Sequence, residues 1–183
     1  MFIAHLPAGY LLAQHLLKRI CTIPVSPKAV LFTVMVGAIA PDLDMLYFYF
    51  IDHRQTHHHK YFSHWPSLWI GLLCTSMLAT GLTRKQSLPF LTLIFSLGGL
   101  LHMLLDSVVG DIWWLAPFVD RPYALFTVPA HFQPWWFNFV LHWSFVIELL
   151  IILWATKRYR WIKRNRKTVE GRRKQTFQRR GTV

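Results

Sequence analysis

Apolar residues run along this chain in long unbroken stretches, without the period of 2 or 3.6 that one-sided burial against a soluble core imposes. Crossing a hydrocarbon layer of about 30 Å takes about 20 residues at 1.5 Å each. Four stretches are long enough: residues 29–51, 65–83, 87–110 and 135–156. A fifth, residues 2–17, has no Lys, Arg, Asp or Glu but is shorter and contains Pro7 and Gly9, so a short or bent first helix is expected there. The pattern predicts an all-α fold, a polytopic membrane helix bundle with about five membrane helices. A cleaved signal peptide fits the first stretch poorly, because the basic residues Lys18 and Arg19 follow the apolar run instead of preceding it.

Composition agrees, since 54% hydrophobic and 15% charged residues in a chain of 183 are too apolar for an ordinary soluble domain. The net charge of +12 is unevenly placed: 12 of the 20 Lys and Arg residues lie in 157–183, against the single acid Glu170. Two units are therefore expected, a membrane-embedded metal-binding domain over 1–156 and a basic, disordered cytoplasmic tail over 157–183. An anionic inner leaflet attracts such a tail, so a solvated topology determinant is the expectation and a nucleic-acid partner is not. Cys21 and Cys74 have neither CxxC nor CxxH spacing, which points away from a disulfide framework and from a thiolate zinc site. A metal here has to use His and carboxylate.

Basic residues favour the cytoplasmic side of short loops. With five alternating helices, Lys18, Arg19 and Lys28, then Arg84 and Lys85, then Lys157 onward all fall on one side. The C-terminus is then cytoplasmic, and the His-rich loop 52–64 and the Trp-rich segment 111–136 are extracytoplasmic. The nine aromatic residues of 112–137 suit either a position in the headgroup layer or packing within that loop.

Ionisable groups inside membrane segments are costly and mark candidate sites. The second segment carries Asp42 and Asp44 after Pro41, the fourth His102 and Asp106, the last His142 and Glu148, and the first His5 and His15. None of these acids has a Lys or Arg in its own apolar run, so a bound cation is the economical way to neutralise them. Counting 1.5 Å per residue from the nearest cytoplasmic basic residue puts His5, Asp42, His102 and His142 all at about 20 to 25 Å, and Glu148 at about 13 Å. His102 and Asp106, four residues apart, share one helix face; alone, such a pair is as well explained by a hydrogen bond inside the bundle. Pro41 breaks a helix, which allows Asp42 and Asp44 to turn to the same side, although a helix-start turn explains the same spacing. Five His in the twelve residues 53–64 form either a loose metal-scavenging tract or, through His59 and His64, a cover over the acidic layer. Imidazole and carboxylate suit Zn²⁺, with Mn²⁺ and Fe²⁺ also possible.

Over most of residues 1–120 these motifs resemble the YdjM-like membrane-bound metal-dependent hydrolases, a family of bacterial inner-membrane proteins. The resemblance rests on His5, on Pro41-Asp42-Leu43-Asp44, on His59-Lys60-Tyr61-Phe62-Ser63-His64, and on His102 to Asp106 followed by Trp114 and Pro117. A second alignment of the third block, onto His53-Arg54-Gln55-Thr56-His57, stays open. The order of His and Asp is also similar to that of the zinc-dependent phospholipase C and nuclease superfamily, whose final His-x-x-x-Glu has only His142 and Glu148 as its nearest equivalent here.

The resulting expectation is a multi-pass hydrolase of the bacterial inner membrane, cleaving a phospholipid or lipid-linked phosphoester in the outer half of the bilayer. Its metal ligands would come from His5, Asp42, Asp44, His59, His64, His102, Asp106 and His142, with Asp44 either a ligand or the catalytic general base. A metal-ion or proton transporter would use the same intramembrane groups as a pathway, and a purely structural metal site is a third reading.

Overall fold

The computed structural model describes residues 1, 3–20, 25–83 and 87–180, with side chains described as far as residue 165. Cys21, the topology-marking Arg84 and Lys85, and the tail's side chains beyond 165 lie outside the described residues. The fold is all-α. Helices α1 (His5–Arg19), α2 (Pro27–Ile39), α3 (Asp44–Phe50), α4 (Pro66–Thr83), α5 (Ser87–Asp106), α6 (Trp136–Val140) and α7 (Ser144–Arg180) follow one another, with short 3₁₀ turns at Pro41–Leu43, His58–Lys60 and Phe62–His64.

α5 packs between α2 and α4, while α1 lies against α2 and α7. The start of α2 is written locally, because Ser26 Oγ accepts from the Ala29 N–H at 3.2 Å and Pro27 takes the first helical position. The approach of α2 to α5 depends on glycine: a Cβ at Gly37 would stand 2.2 Å from the Phe95 carbonyl oxygen, and one at Gly98 2.5 Å from that of Val34. Buried positions on α5 recur every fourth residue, at Phe90, Ile94, Gly98, His102 and Asp106. One stripe thus packs on α2 with apolar residues at one end and delivers ionisable ones at the other.

Among the described residues, α4 and α5 are long and apolar enough to cross a membrane, and α2 with Pro41–Phe50 makes a third if that pair, bent by 56°, is one span. α4 argues for an apolar solvent by itself, since only Pro66, Trp69 and Ser76 of its 18 residues are buried in the protein while Leu78 and Leu82 are 68% and 86% exposed. Of the expected five helices, α1 has 15 residues, short of the requirement.

The expected last span, 135–156, is not one helix. It breaks at Leu141–Trp143 between α6 and α7, where His142 Nδ1 is hydrogen-bonded to Ser144 Oγ; just before the break, the Asn138 side chain ties α6 to the backbone of His131, Phe132 and Trp135. From Ser144 the helix runs through the apolar residues and on into the basic ones. The Trp-rich segment folds back on itself through an isolated bridge between Ile112 and Tyr123. Trp113 donates to Asp120 within the segment and Trp114 to Ser107 just before it, whereas Trp135 and Trp136 are 48% and 40% exposed.

Candidate metal centre

Pro41 has no N–H to continue α2, so the chain tightens into a 3₁₀ turn and restarts as α3 at Asp44. Asp42 and Asp44 therefore sit at the bend, facing the end of the α5 stripe. The loop after α3 is closed by Asp52, which accepts from the backbone N–H and hydroxyl of Thr56 at 2.7 and 3.2 Å, and it returns His59 and His64 over the same point.

His102 is fully buried, and its Nδ1 donates to the Ala38 carbonyl at 2.8 Å. A carbonyl only accepts, so Nε2 presents a lone pair. That nitrogen has no hydrogen-bond partner, yet it stands 3.0 Å from Asp106 Oδ2 and 3.5 Å from Asp42 Oδ1. His64 repeats the arrangement. Its Nδ1 donates to Asp44 Oδ2 at 2.6 Å, and its Nε2, also buried and without a partner, lies 3.7 Å from Asp42 Oδ1. Two imidazole nitrogens thus face two carboxylate oxygens in a buried place, which is unfavourable unless a proton or a metal cation lies among them.

The donor set fits a divalent metal. One donor atom each from Asp42, His64, His102 and Asp106 lie within 4.8 Å of one another. Ligands at about 2.0 to 2.2 Å from a tetrahedral ion stand about 3.3 to 3.6 Å apart, close to the separations above. His58, His59 and His64 form a second group meeting the same criterion. His59 Nδ1 pairs with the Asp111 carbonyl at 3.0 Å, leaving Nε2 3.6 Å from Asp106 Oδ2.

The remaining sequence candidates divide. His5 Nε2 is 2.9 Å from Asp106 Oδ1 and its ring stacks on His102 with centroids 3.8 Å apart, so it braces both members of the i, i+4 pair. The amino group of Met1 contacts the same Asp106 oxygen. Asp44 stands behind His64, sharing Oδ2 between its Nδ1 and the Ser63 hydroxyl, and is not among the converging donors. His142 is outside both groups; its Nδ1 is hydrogen-bonded to Ser144 Oγ at 2.8 Å. It lies in the turn just before α7 and not within a helix. Glu148, placed near 13 Å by the depth count, accepts at Oε2 from the N–H groups of Ile3 and Ala4 at 2.5 and 3.1 Å and so caps the entry to α1. Lys157 lies in the middle of α7 and is no marker of the level at which the other helices end. Of the open alignments, His53 and Arg54 occupy a left-handed turn, with φ of 49° and 66°, and are exposed, whereas His59 and His64 are buried at the cluster.

Burial alone would lower the His64 imidazole, but the Asp42 and Asp44 carboxylates outweigh it and push the group up to about 9. At His58 the balance is reversed: burial, then the neighbouring His64, outweigh the Asp44 and Asp42 charges and bring it down to about 4. Asp42, Asp106, His58 and His59 line one side of a cavity of about 390 Å³ whose other walls include Val109, Phe126 and Phe139.

The family model for the YdjM inner membrane protein matches residues 1–167. The chain belongs to the YdjM family. Neither the curated proteins nor the solved structures gave a match. The YdjM match spans every converging residue and reaches past Glu148 into the basic end of α7.

Sequence reasoning missed three parts of this YdjM-family site. His58 was visible only as one of a run of three His, and its 3₁₀ turn brings it beside His59, ring centroids 4.0 Å apart. The Ala38 and Asp111 carbonyls that set the imidazole tautomers leave no trace in a sequence, because every residue has one.

Proposed function

We propose that this protein is a membrane-bound, divalent-metal-dependent hydrolase acting on a phospholipid or lipid-linked phosphoester in the outer half of the inner membrane. The observation that carries the reading is the pair of buried, partnerless nitrogens, His64 Nε2 and His102 Nε2, opposite Asp42 and Asp106. Zn²⁺ suits these donors best, with Mn²⁺ and Fe²⁺ as alternatives. When bound, such an ion lowers the pKa of water and polarises a phosphoryl oxygen.

The chain's own residues supply the rest. His64 and His102 hold the ion as neutral donors, each fixed through its other nitrogen, and Asp44 and Ser63 keep the His64 ring in place. The Asp42 carboxylate is 41% exposed and faces the 390 Å³ cavity together with His58, so these two are positioned to take a proton from water there. Asp42 is preferred here to Asp44, whose Oδ2 is engaged by His64 and Ser63 and which lines a different cavity. An amphiphilic substrate is favoured by the apolar cavity walls and by the lipid-like surroundings of α4.

Five crossings, a cytoplasmic C-terminus and outward-facing His-rich and Trp-rich loops complete the proposal, supported by the one-sided Lys and Arg. The transporter reading draws less support, because Glu148, one of its two inner ionisable groups, is engaged in capping α1. Elemental analysis of purified protein, with a panel of phospholipids and phosphoesters, tests the proposal. Bound metal and chelator-sensitive hydrolysis, both absent from His102→Ala, are expected; hydrolysis indifferent to chelator would overturn it.

A further inference from the structure

Four buried side-chain polar atoms lack a hydrogen-bond partner among the described residues, and only two of them, the Nε2 atoms of His64 and His102, belong to the metal-ligand set. The other two are Asp44 Oδ1 and the Tyr61 hydroxyl. Asp44 and Tyr61 line a second cavity, of about 840 Å³, formed by the α2–α3 bend, the loop after α3, and helices α4 and α5. Apart from these groups its walls are mainly apolar, with Leu43, Phe62, Leu68, Trp69, Leu72 and Phe95. Asp52, a further polar group in the wall, accepts from Thr56 and also lies within reach of the Tyr61 hydroxyl, so a ligand oxygen competes with this carboxylate for the Tyr61 proton. Leu43 and Phe62 are 61% and 67% exposed, which gives the cavity an apolar rim.

An apolar chamber of several hundred cubic ångströms with a few convergent polar groups is how small-molecule sites are built. Its polar groups state what the ligand carries. The Asp44 side chain is 8% exposed, and its Oδ2 already accepts from Ser63 and His64, so Oδ1 offers only acceptor capacity to a hydrogen-bond donor. Tyr61 can donate its phenolic proton. A hydroxyl both donates and accepts, so it answers the two together, whereas a carboxylate or phosphate would meet the Asp44 charge and an alkane would leave both atoms unpaired.

We propose that this cavity binds an uncharged lipid alcohol, its chain against α4 and α5 and its hydroxyl at Asp44 and Tyr61. The bilayer that surrounds α4 is the source of such a ligand, which enters past Leu43 and Phe62. The site is separate from the hydrolase reading and stands or falls without it. Asp44 belongs to both places, so an occupied cavity abuts the carboxylate that orients His64.

The test uses full-length protein in detergent and hexadecanol bearing a photoreactive diazirine on its chain, with adducts mapped by mass spectrometry. Labelling within the segment from Tyr61 to Leu72 and at Phe95 is expected. Unlabelled hexadecanol should compete about tenfold better than palmitate or hexadecane, the range set by a hydrogen bond to a charged acceptor. Leu72→Trp, whose larger side chain intrudes on the chamber without filling it, should weaken labelling while bound metal is retained. Tyr61→Phe should weaken competition by hexadecanol about two- to tenfold. Equal competition by hexadecanol, palmitate and hexadecane overturns the proposal, as does labelling confined to residues outside the cavity wall. If Leu72→Trp fails to fold, unchanged competition by hexadecanol in Tyr61→Phe overturns it instead.

Discussion

Replacing Asp44 separates a carboxylate that orients a ligand from one that binds the ion. Its Oδ2 accepts from His64 Nδ1 at 2.6 Å and from the Ser63 hydroxyl at 2.6 Å, both short and charge-assisted. Asp44→Asn keeps an oxygen that can accept the His64 proton but removes the charge, and Asp44→Ala removes the acceptor and leaves two buried donors unpaired. Losing a carboxylate behind a metal-bound imidazole typically costs 10- to 100-fold in metal affinity. The Asn variant should fall near the lower end, about tenfold or 1.4 kcal/mol, and the Ala variant near the upper end, about 100-fold or 2.7 kcal/mol. Zinc affinity, measured by competition with a chromogenic chelator in detergent with helicity followed by circular dichroism, gives both numbers. His102→Ala, which deletes a ligand, should lose more than either. Asp44→Ala binding zinc as tightly as the unaltered protein, or Asp44→Asn losing as much as His102→Ala, would refute the orienting role.

Three further outcomes are expected. Gly37→Ala places a methyl 2.2 Å from the Phe95 carbonyl oxygen, so α2 and α5 must part, at a cost of about 1 to 3 kcal/mol, and the melting temperature should fall together with metal content as His102 loses Ala38. In chelator-treated protein the His64 group sits at about 9 against its usual 6.5, so its stabilisation is complete below about 6.5 and is lost as pH rises through about 9. The melting temperature of the metal-free form should therefore drop across that window, and a midpoint that rises there would contradict the charge balance at His64. A single cysteine in the tail should resist a membrane-impermeant thiol reagent added outside the cell, while one at Gln55 should react; the reverse pattern would invert the proposed topology.

Much of the candidate site is legible in the sequence because its warning signs are thermodynamic. An Asp or His within an apolar run is expensive wherever the helix lies, so Asp42, Asp44, His102 and Asp106 stand out before any fold is known. The i, i+4 spacing of His102 and Asp106 fixes their common face, and Pro41 fixes the break that turns Asp42 towards it. Length and apolarity likewise mark α4 and α5 as spans, since both properties are local.

Roles, by contrast, were decided only by tertiary structure. Asp42 and Asp44 are indistinguishable as sequence, and what separates them is that the loop places His64 Nδ1 on one and His64 Nε2 towards the other. His5 and His142 sat at nearly the same counted depth, yet His5 reaches Asp106 while His142 ends in a turn, because α1 is one helix and the last apolar run is two. Glu148 passed for a buried acid needing a cation until the chain before α1 supplied backbone N–H groups to it. A hydrophobic run specifies that a segment is buried in lipid or protein, but not where its helix is interrupted. At the interruption His142 Nδ1 is bonded to Ser144 Oγ, a short-range side-chain bond of a kind that competes with the helical ladder and that apolarity along the run does not reveal.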